Sequence, residues 1–308
     1  MAQVLPKLRM NLDYLPSPVP DRPGLLIRDP YGYSDETLVI PPALVECLQL
    51  FNGTSTDLDL RAALVRITGD LRVGDLEKHL SETLSRARFL EDENYVQSRE
   101  ARHREFAEAP VRAASHAGSA YPDDPQELQQ TLAGYLDGNP RPVAQTGLIG
   151  IAAPHVSLEG GAACYRAAYG ALGPHYRDRV FVILGTSHFG LPDRFGLTRK
   201  PYATPLGAAL TEIPLVHFLE ERAPEAVVTE DYCHAFEHSI EFQVVFLQYL
   251  FGPCIRILPI LVGSYARALR AGARPEDEPL VARFFAALGD LANQQGDRLL
   301  WVLGIDLA

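Results

Sequence analysis

The sequence predicts an α/β protein with a mainly parallel sheet and helices on both faces, preceded by a small α+β domain. Two apolar runs, at residues 147–155 (GLIGIAAPH) and 180–188 (VFVILGTSH), flank a small-residue segment at 160–172 with the composition of a helix. Apolar runs without alternation are typical of strands that are buried on both faces. A strand, a helix and a second strand form a βαβ unit, in which the two strands are parallel.

The composition limits the classes of protein to which the chain can belong. It has 308 residues, of which 47% are hydrophobic, and this is enough for two domains with a sizeable core. The formal net charge of −11 disfavours a surface that binds nucleic acid or an anionic membrane. No apolar run approaches the about 18 residues that cross a bilayer, and the N-terminus lacks the apolar core of a signal peptide. We therefore expect a cytoplasmic protein, whose four scattered cysteines are reduced and mostly buried thiols.

Residues 1–97 are predicted to form a small domain of the winged-helix type. Two short β-type runs precede three segments with helical apolar spacing, and Val96 is expected to lie in a final strand. A Thr-Ser-Thr-Asp cluster ending at Asp57 is typical of a helix N-terminus. The charged, alanine-rich residues 98–116 predict a solvated linker helix. The expected strands are 24–29 and 37–40, and the expected helices are 41–51, 58–68 and 73–89.

Residues 117–308 are predicted to form the larger α/β domain. A helix that ends at Leu136 has Pro125 in its first turn and acidic residues at the positive end of its dipole. The βαβ unit follows, and the apolar patterns after it predict further helices and strands. The expected helices lie at 213–219, 237–250 and 276–294, and the expected strands lie at 255–263 and 298–308.

A histidine ends each strand of the βαβ unit. Open α/β sheets bind their ligands at the carboxyl ends of the strands, where His155 and His188 are expected to lie. If the two strands are neighbours or next-neighbours, the imidazoles are close enough to share one metal ion. The alternative is that each histidine only satisfies hydrogen bonds at a strand end.

Acidic residues are expected near these histidines. Glu237, His238 and Glu241 are predicted to occupy the first turns of a helix, with the two glutamates on one face. A glutamate there could accept a hydrogen bond from an imidazole and fix its tautomer, or the group could merely cap the helix. Asp306 is expected at the carboxyl end of the last strand, where it could bind a metal, orient a histidine or cap a turn.

Six short motifs follow one another along the larger domain. They are AGSAYP at 117–122, APH at 153–155, LGTSH at 184–188, ATPLG at 203–207, EHSIE at 237–241 and LPILVG at 258–263. Together they resemble the motifs of the Memo family, which is called AmmeMemoRadiSam system protein B in prokaryotes. The most specific of them is EHSIE.

The resemblance implies a fold and a site. The Memo fold is similar to that of class III extradiol dioxygenases, which hold non-haem iron. By this resemblance His155 and His188 match the two metal-binding histidines of the family. Glu237 and His238 match residues that line its pocket, and Asp306 matches the aspartate of its Ser-Ser-Asp-x-x-His segment.

The chain also departs from the Memo pattern. Because it ends at Ala308, we expect it to lack the C-terminal segment of the family, with a histidine and a cysteine that is the third metal ligand. Val156, Ser157 and Leu158 replace the usual Ala-Gly-Tyr, and Ala120 replaces an aromatic residue. These changes are expected to alter the aromatic wall of the pocket.

Three segments of the N-terminal domain, at 38–44, 51–56 and 76–90, carry a second resemblance. Through them the domain resembles the PqqD-like domains, which present peptides to partner enzymes. Because the domain is not basic, we favour docking or dimerisation over DNA binding.

Three functions are consistent with the sequence. The first is a metal-dependent oxidoreductase of the dioxygenase-like class, with Fe(II) or Cu held by His155 and His188. Asp306, or Glu237 with His238, would then supply a third ligand or act as the catalytic acid–base group. The second is a non-catalytic adaptor that binds a peptide or works with radical SAM and AMMECR-type partner proteins. The third is a structural module.

Overall fold

The computed structural model describes residues 2–137 and 144–306 of the chain. The chain divides into two compact units between Glu105 and Phe106. Within the described ranges, none of the helices combines the length and the apolar character that crossing a bilayer requires. All four cysteines are free, and of these Cys164 and Cys254 are exposed rather than buried.

The first unit contains a small antiparallel sheet and three α-helices. The sheet has the strand order β1-β2-β3. Its core includes Ile27, Leu60, Leu64, Leu84 and Phe89, none of which is exposed. The elements are β1 (Asp13–Pro16), β2 (Leu25–Arg28), β3 (Thr37–Ile40), a 3₁₀ helix (Pro42–Leu50), α1 (Asp57–Thr68), α2 (Gly74–Arg86) and α3 (Glu93–Glu108).

One expectation for the first unit is wrong, and the structure refines another. Val96 does not form a strand but lies in the first turn of α3, where its N–H donates to the carbonyl of Asp92 at 3.0 Å. The Asp92 carboxylate accepts the N–H of Tyr95 at 3.1 Å and so caps the helix at its start. The expected helix at 41–51 is present as a 3₁₀ helix, and β1 precedes the first of the strands predicted from the sequence. The winged-helix assignment stays a prediction.

The second unit contains the larger sheet. Its elements are α4 (Pro125–Leu136), β4 (Gly150–Ala153), α5 (Ala162–Tyr169), β5 (Val180–Thr186), β6 (Phe195–Leu197), β7 (Tyr202–Thr204), β8 (Gly207–Thr211), α6 (Ile213–Arg222), β9 (Val227–Thr229), α7 (Glu241–Phe251), β10 (Arg256–Val262), α8 (Ala266–Arg270), α9 (Pro279–Gln295) and β11 (Leu299–Gly304). The main strand order is β4-β11-β5-β10-β6-β9, and β8 pairs with both β10 and β7. The four strands β4, β11, β5 and β10 are mutually parallel, which confirms a mainly parallel sheet.

Side chains of the central strands alternate between two cores on opposite faces of the sheet. On β5, Phe181 and Ile183 join a core with residues of α4, α5 and α7. Val180 and Val182 join a second core with residues of α6 and α9. All four side chains are at most 1% exposed. Because both faces are covered, the strand is an unbroken apolar run in the sequence.

The helix expected at 237–250 begins four residues later, at Glu241. Glu237 and His238 therefore lie in the segment before α7, and the prediction that Glu237 and Glu241 share a helix face is wrong. A short 3₁₀ helix at Tyr232–Ala235 precedes this segment. The Ser239 hydroxyl then donates to the carbonyl of Thr186 at 2.7 Å, which ties the segment to the end of β5.

Two glycines allow the segment before α7 to lie directly on the sheet. Gly304 of β11 is paired in register with Gly185 of β5. A Cβ atom on Gly185 would lie 2.5 Å from Oγ of Ser239 and 2.6 Å from Cγ1 of Ile240. A Cβ atom on Gly304 would lie 2.8 Å from the carbonyl oxygen of Ser239. A larger residue at either position would therefore push the segment away from the sheet.

A buried arginine holds the same segment. Arg112 is 1% exposed, and its guanidinium donates to the backbone carbonyls of His234 at 2.7 Å and Glu237 at 2.8 Å. It also forms a fully buried ion pair with the carboxylate of Glu241, which accepts a hydrogen bond from the Tyr121 hydroxyl as well. Burial raises the pKa of Glu241, but Arg112 and Tyr121 lower it by more than burial raises it. The pKa of Glu241 therefore lies below its usual value.

We expect Gly185→Ala to lower the free energy of unfolding by about 1–3 kcal/mol, because the added methyl group overlaps Ser239 and Ile240. Gly134→Ala is the matched control, since nothing lies within 4 Å of its Cβ position in α4. The free energy of unfolding of that control should rise by about 0.5–1 kcal/mol, because alanine has a higher helix propensity than glycine. Urea unfolding measures both differences. A Gly185→Ala variant as stable as the wild type would contradict the close packing.

We expect Glu241→Gln to lower the free energy of unfolding at neutral pH by about 3–5 kcal/mol, because Arg112 stays buried without a counter-charge. Since the folded-state pKa of Glu241 is depressed, its stabilisation is present above the unfolded pKa and is lost as the pH falls through the folded pKa. The difference between variant and wild type should therefore narrow below about pH 4.3.

Urea unfolding over this pH range tests the prediction for Glu241. Glu82→Gln is the control, because Glu82 forms an exposed pair with Lys78 at 3.7 Å. Its replacement should change stability by about 0.5 kcal/mol or less. If the free energies of unfolding of Glu241→Gln and the wild type differed by the same amount from neutral to acid pH, the depressed pKa of Glu241 would be contradicted.

Candidate metal centre

Three histidines meet at the carboxyl edge of the parallel sheet. His155 follows β4, His188 follows β5, and His238 lies in the segment before α7. One ring nitrogen from each lies within 4.8 Å of the others. Because β11 lies between β4 and β5, these strands are next-neighbours, and their carboxyl ends bring His155 and His188 together.

His155 and His188 point their Nε2 atoms towards each other at a distance of 3.3 Å. Two ligands about 2.0–2.1 Å from one ion, at a tetrahedral angle, are separated by about 3.3 Å. The same distance is also consistent with an N–H of one ring that donates to the other. The distance therefore fits a shared ion but does not distinguish it from a hydrogen bond. The orientation of the rings gives further evidence.

Glu237 fixes the orientation of His188. Its carboxylate is 1% exposed, and Oε1 accepts the Nδ1–H of His188 at 2.9 Å. Oε2 accepts the backbone N–H of His188 at 2.8 Å, and Oε1 accepts the backbone N–H of His238 at 3.1 Å. With its proton on Nδ1, His188 has its lone pair on Nε2, the atom that faces His155. A carboxylate behind an imidazole is the usual arrangement at metal-binding histidines.

Burial and charge shift the pKa values of the cluster in different directions. The hydrogen bond to Glu237 raises the pKa of His188. Burial lowers the pKa of His155, although the nearby Asp306 opposes this, and burial lowers the pKa of His238 to about 4. Burial also raises the pKa of Glu237, but the hydrogen bonds from His188 outweigh it, so that this pKa lies below its usual value. At neutral pH, His155 and His238 are therefore uncharged and offer lone pairs.

Asp306 adds a carboxylate beside His155, on the rim where the sequence predicted it. Its Oδ2 lies 3.3 Å from Nε2 of His155, and its Oδ1 accepts the backbone N–H of His155 at 3.3 Å. The side chain of Asp306 is 42% exposed, so this side of the cluster faces solvent. Nδ1 of His155 is buried and has no partner of hydrogen-bonding geometry among the described residues.

The sequence reasoning missed two rings that border the cluster. The ring of His116 lies 5.6 Å from that of His238, measured between centroids, and its Nε2 forms a 2.8 Å hydrogen bond with the carbonyl of Phe236. The Phe242 ring lies 5.1 Å from that of His238. A signal for His116 was its position immediately before the motif at 117–122. Phe242, on α7, follows the EHSIE motif directly.

Comparisons with known proteins identify relatives of this chain. Residues 112–272, more than half of the chain, match the family described as Memo-like protein. A MEMO1 family protein of Aquifex aeolicus is 30% identical over 237 residues, which cover 77% of this chain and 62% of the relative. A MEMO1 family protein of Thermoplasma acidophilum is 33% identical over 203 residues, which cover 64% and 72%. One from Desulfurococcus amylolyticus is 30% identical over 158 residues, which cover 48% and 56%.

The chain spans less than two thirds of the length of the Aquifex and Desulfurococcus relatives. The family match includes His155, His188, Glu237 and His238, and it ends before Asp306. With a match over half of its length, and with 72% of the Thermoplasma relative covered at 33% identity, this chain belongs to the Memo-like family.

Proposed function

We propose that this chain is a metal-dependent oxidoreductase of the dioxygenase-like class, in which His155 and His188 bind Fe(II) or Cu. The observation that carries the proposal is the convergence of three histidine nitrogens within 4.8 Å, with Glu237 bound behind one of the rings. Imidazole is a suitable ligand for both metals. The relation to extradiol dioxygenases belongs to the same proposal.

The third ligand in this proposal is His238 or Asp306. His238 completes a three-histidine set whose nitrogens are already close together. Asp306, with Oδ2 at 3.3 Å from Nε2 of His155, would complete a set of two histidines and one carboxylate, which is typical of non-haem Fe(II) oxygenases. A bound Fe(II) or Cu ion would supply the redox chemistry with O₂ that amino-acid side chains lack.

The residues of the chain have separate roles in this proposal. Glu237 holds the proton of His188 on Nδ1 and so keeps Nε2 available as a ligand atom. Asp306 is placed to accept a proton at Oδ2, because that atom lies at the solvent-facing side of the cluster. The rings of Phe242 and His116 pack on His238 and would limit the access of water from that side.

We expect the wild-type protein, purified anaerobically, to contain about one Fe or Cu ion per chain, and His155→Ala and His188→Ala each to lose it. The reason is that removing either imidazole leaves fewer than the three ligands that hold such ions in proteins. His217→Ala is the matched control, since His217 is an exposed histidine that pairs with Glu220 at 3.2 Å. Elemental analysis by mass spectrometry measures the metal content.

The outcome that contradicts the metal proposal is equally specific. A folded wild-type chain that takes up neither Fe(II) nor Cu during reconstitution would refute it. So would full metal content in both His155→Ala and His188→Ala, because the metal would then lie elsewhere.

We expect Glu237→Gln to weaken metal binding by about 10–100-fold without abolishing it, because the ligand atoms remain but His188 loses its charged hydrogen-bond partner. A competition titration with a chromophoric chelator measures the affinity. Glu220→Gln, which changes a carboxylate beside His217, is the control for loss of an acid near an imidazole. Unchanged affinity in Glu237→Gln would show that Glu237 does not act through His188.

A second candidate function, a peptide-binding or partner-binding adaptor, rests on the first unit. A cavity of about 390 Å³ there is lined mainly by apolar side chains, among them Leu8, Tyr14, Leu25 and Met10, of which Met10 is 76% exposed. Exposed apolar surface of this kind is typical of interaction sites. PqqD-like peptide capture, or action with radical SAM and AMMECR-type proteins, would use this surface, and this function requires no stoichiometric metal.

A further inference from the structure

Another cavity lies at the amino-terminal edge of the large sheet, where the central strands begin, opposite to the edge that holds the histidine cluster. It has a volume of about 360 Å³ and is lined by the four arginines Arg177, Arg179, Arg256 and Arg298. β5 rises about 3.3 Å per residue from Val180 to Thr186, so the cavity lies about 20 Å from the histidine cluster. It is therefore separate from the candidate metal centre.

The strand register explains why these arginines are close together. Val180, the first residue of β5, pairs with Arg256 of β10 on one side and with Leu299 of β11 on the other. Arg179 and Arg298 directly precede Val180 and Leu299. Neighbouring strands lie about 4.8 Å apart, so three adjacent strands bring three guanidinium groups to one edge.

The charges in the cavity are only partly compensated. Glu212 holds Arg256 through one carboxylate oxygen and Arg298 through the other. Within the described chain Arg179 forms no ion pair; its guanidinium donates to the backbone carbonyl of Leu299 at 3.3 Å and lies 5.5 Å from the centroid of the Tyr176 ring. Among the described residues, the guanidinium of Arg177 has no ion-pair or hydrogen-bond partner, and Asp178 is the one acidic residue that lines the cavity.

Four positive charges therefore face the two negative charges of Glu212 and Asp178. This local excess is opposite in sign to the net charge of −11 of the whole chain. Guanidinium groups present planar pairs of N–H donors that match the oxygens of phosphate. The volume of the cavity is that of a small-molecule site.

We propose that this arginine cavity binds the phosphoryl group of a soluble phosphate ester or diphosphate. Arg177 and Arg179 supply the charge that the protein leaves unpaired, and Glu212 holds Arg256 and Arg298 in position. The ligand is an anion with at least two negative charges, because this number balances the excess of the cavity.

Isothermal titration of the full chain with orthophosphate, pyrophosphate and glycerol phosphate at low ionic strength tests the proposal. We expect saturable binding whose affinity falls with added salt. We expect Arg177→Gln to lower this affinity by about tenfold or more. Arg177 is exposed, and its side chain forms no ion pair or hydrogen bond with the described residues, so Arg177→Gln removes no such interaction from the fold. Arg270→Gln, in the exposed helix α8 outside the cavity, should bind as the wild type does.

Cys254, which lines the cavity, provides an independent measurement. Pyrophosphate should slow the reaction of Cys254 with a maleimide and leave Cys164, which is also exposed but lies outside the cavity, unaffected. Tighter binding of pyrophosphate than of orthophosphate would support a diphosphate ligand, and equal affinity would support a single phosphoryl group. Absence of saturable binding for all three anions, or equal affinity in Arg177→Gln and wild type, would overturn the proposal.

Discussion

The approach of Ser239 to the paired glycines Gly185 and Gly304 determines where the histidine cluster can form. Near their carboxyl ends the neighbouring strands β5 and β11 pair glycine with glycine, Gly185 with Gly304, so that neither strand projects a side chain at this level. The segment before α7 lies on this surface and is tied to it by the hydrogen bond from Ser239 to Thr186. Glu237 thereby reaches both the backbone and the ring of His188, which a regular helix in its place would not allow.

Buried charge also holds this irregular segment, through the guanidinium of Arg112. A loop that covers a sheet leaves backbone carbonyls without partners, and each such group is costly if it is buried unpaired. Arg112 satisfies two of them, those of His234 and Glu237, and Glu241 balances its charge. The two glutamates of the EHSIE motif therefore have different tasks: Glu241 holds the loop, and Glu237 orients an imidazole. Although they are four residues apart, they share no helix face, because Glu237 lies before α7 and Glu241 is its first residue.

Much of the sheet and part of the site were predictable because they follow from local pattern. Unbroken apolar runs indicated β5 and β10, and the carboxyl-end rule placed His155, His188 and Asp306 on one edge. The start of α7 was predicted wrongly because helical apolar spacing continues upstream of Glu241. There the hydrogen bond from Ser239 to Thr186 holds the backbone against the sheet in a non-helical conformation. Arg112 and His116 were missed because their roles depend on contacts more than 100 residues away in sequence, which no periodicity records. Val96 was assigned to a strand because the cap from Asp92 was not recognised.

The two histidines at the strand ends are not equivalent, and the difference follows from what lies behind each ring. His188 has an ionised carboxylate on its Nδ1, which raises its pKa and makes it the stronger electron donor. His155 is more deeply buried, and its Asp306 contact lies at Nε2, on the face that also meets His188. In the proposed metal centre, His188 would therefore be the ligand whose ring orientation is fixed by a carboxylate, and His155 would be the ligand with Asp306 beside its Nε2. His238, whose pKa burial lowers to about 4, lies beside both rings. Oε1 of Glu237 accepts its backbone N–H at 3.1 Å and also lies 3.3 Å from its Nδ1, so that Glu237 contacts the rings of both His188 and His238.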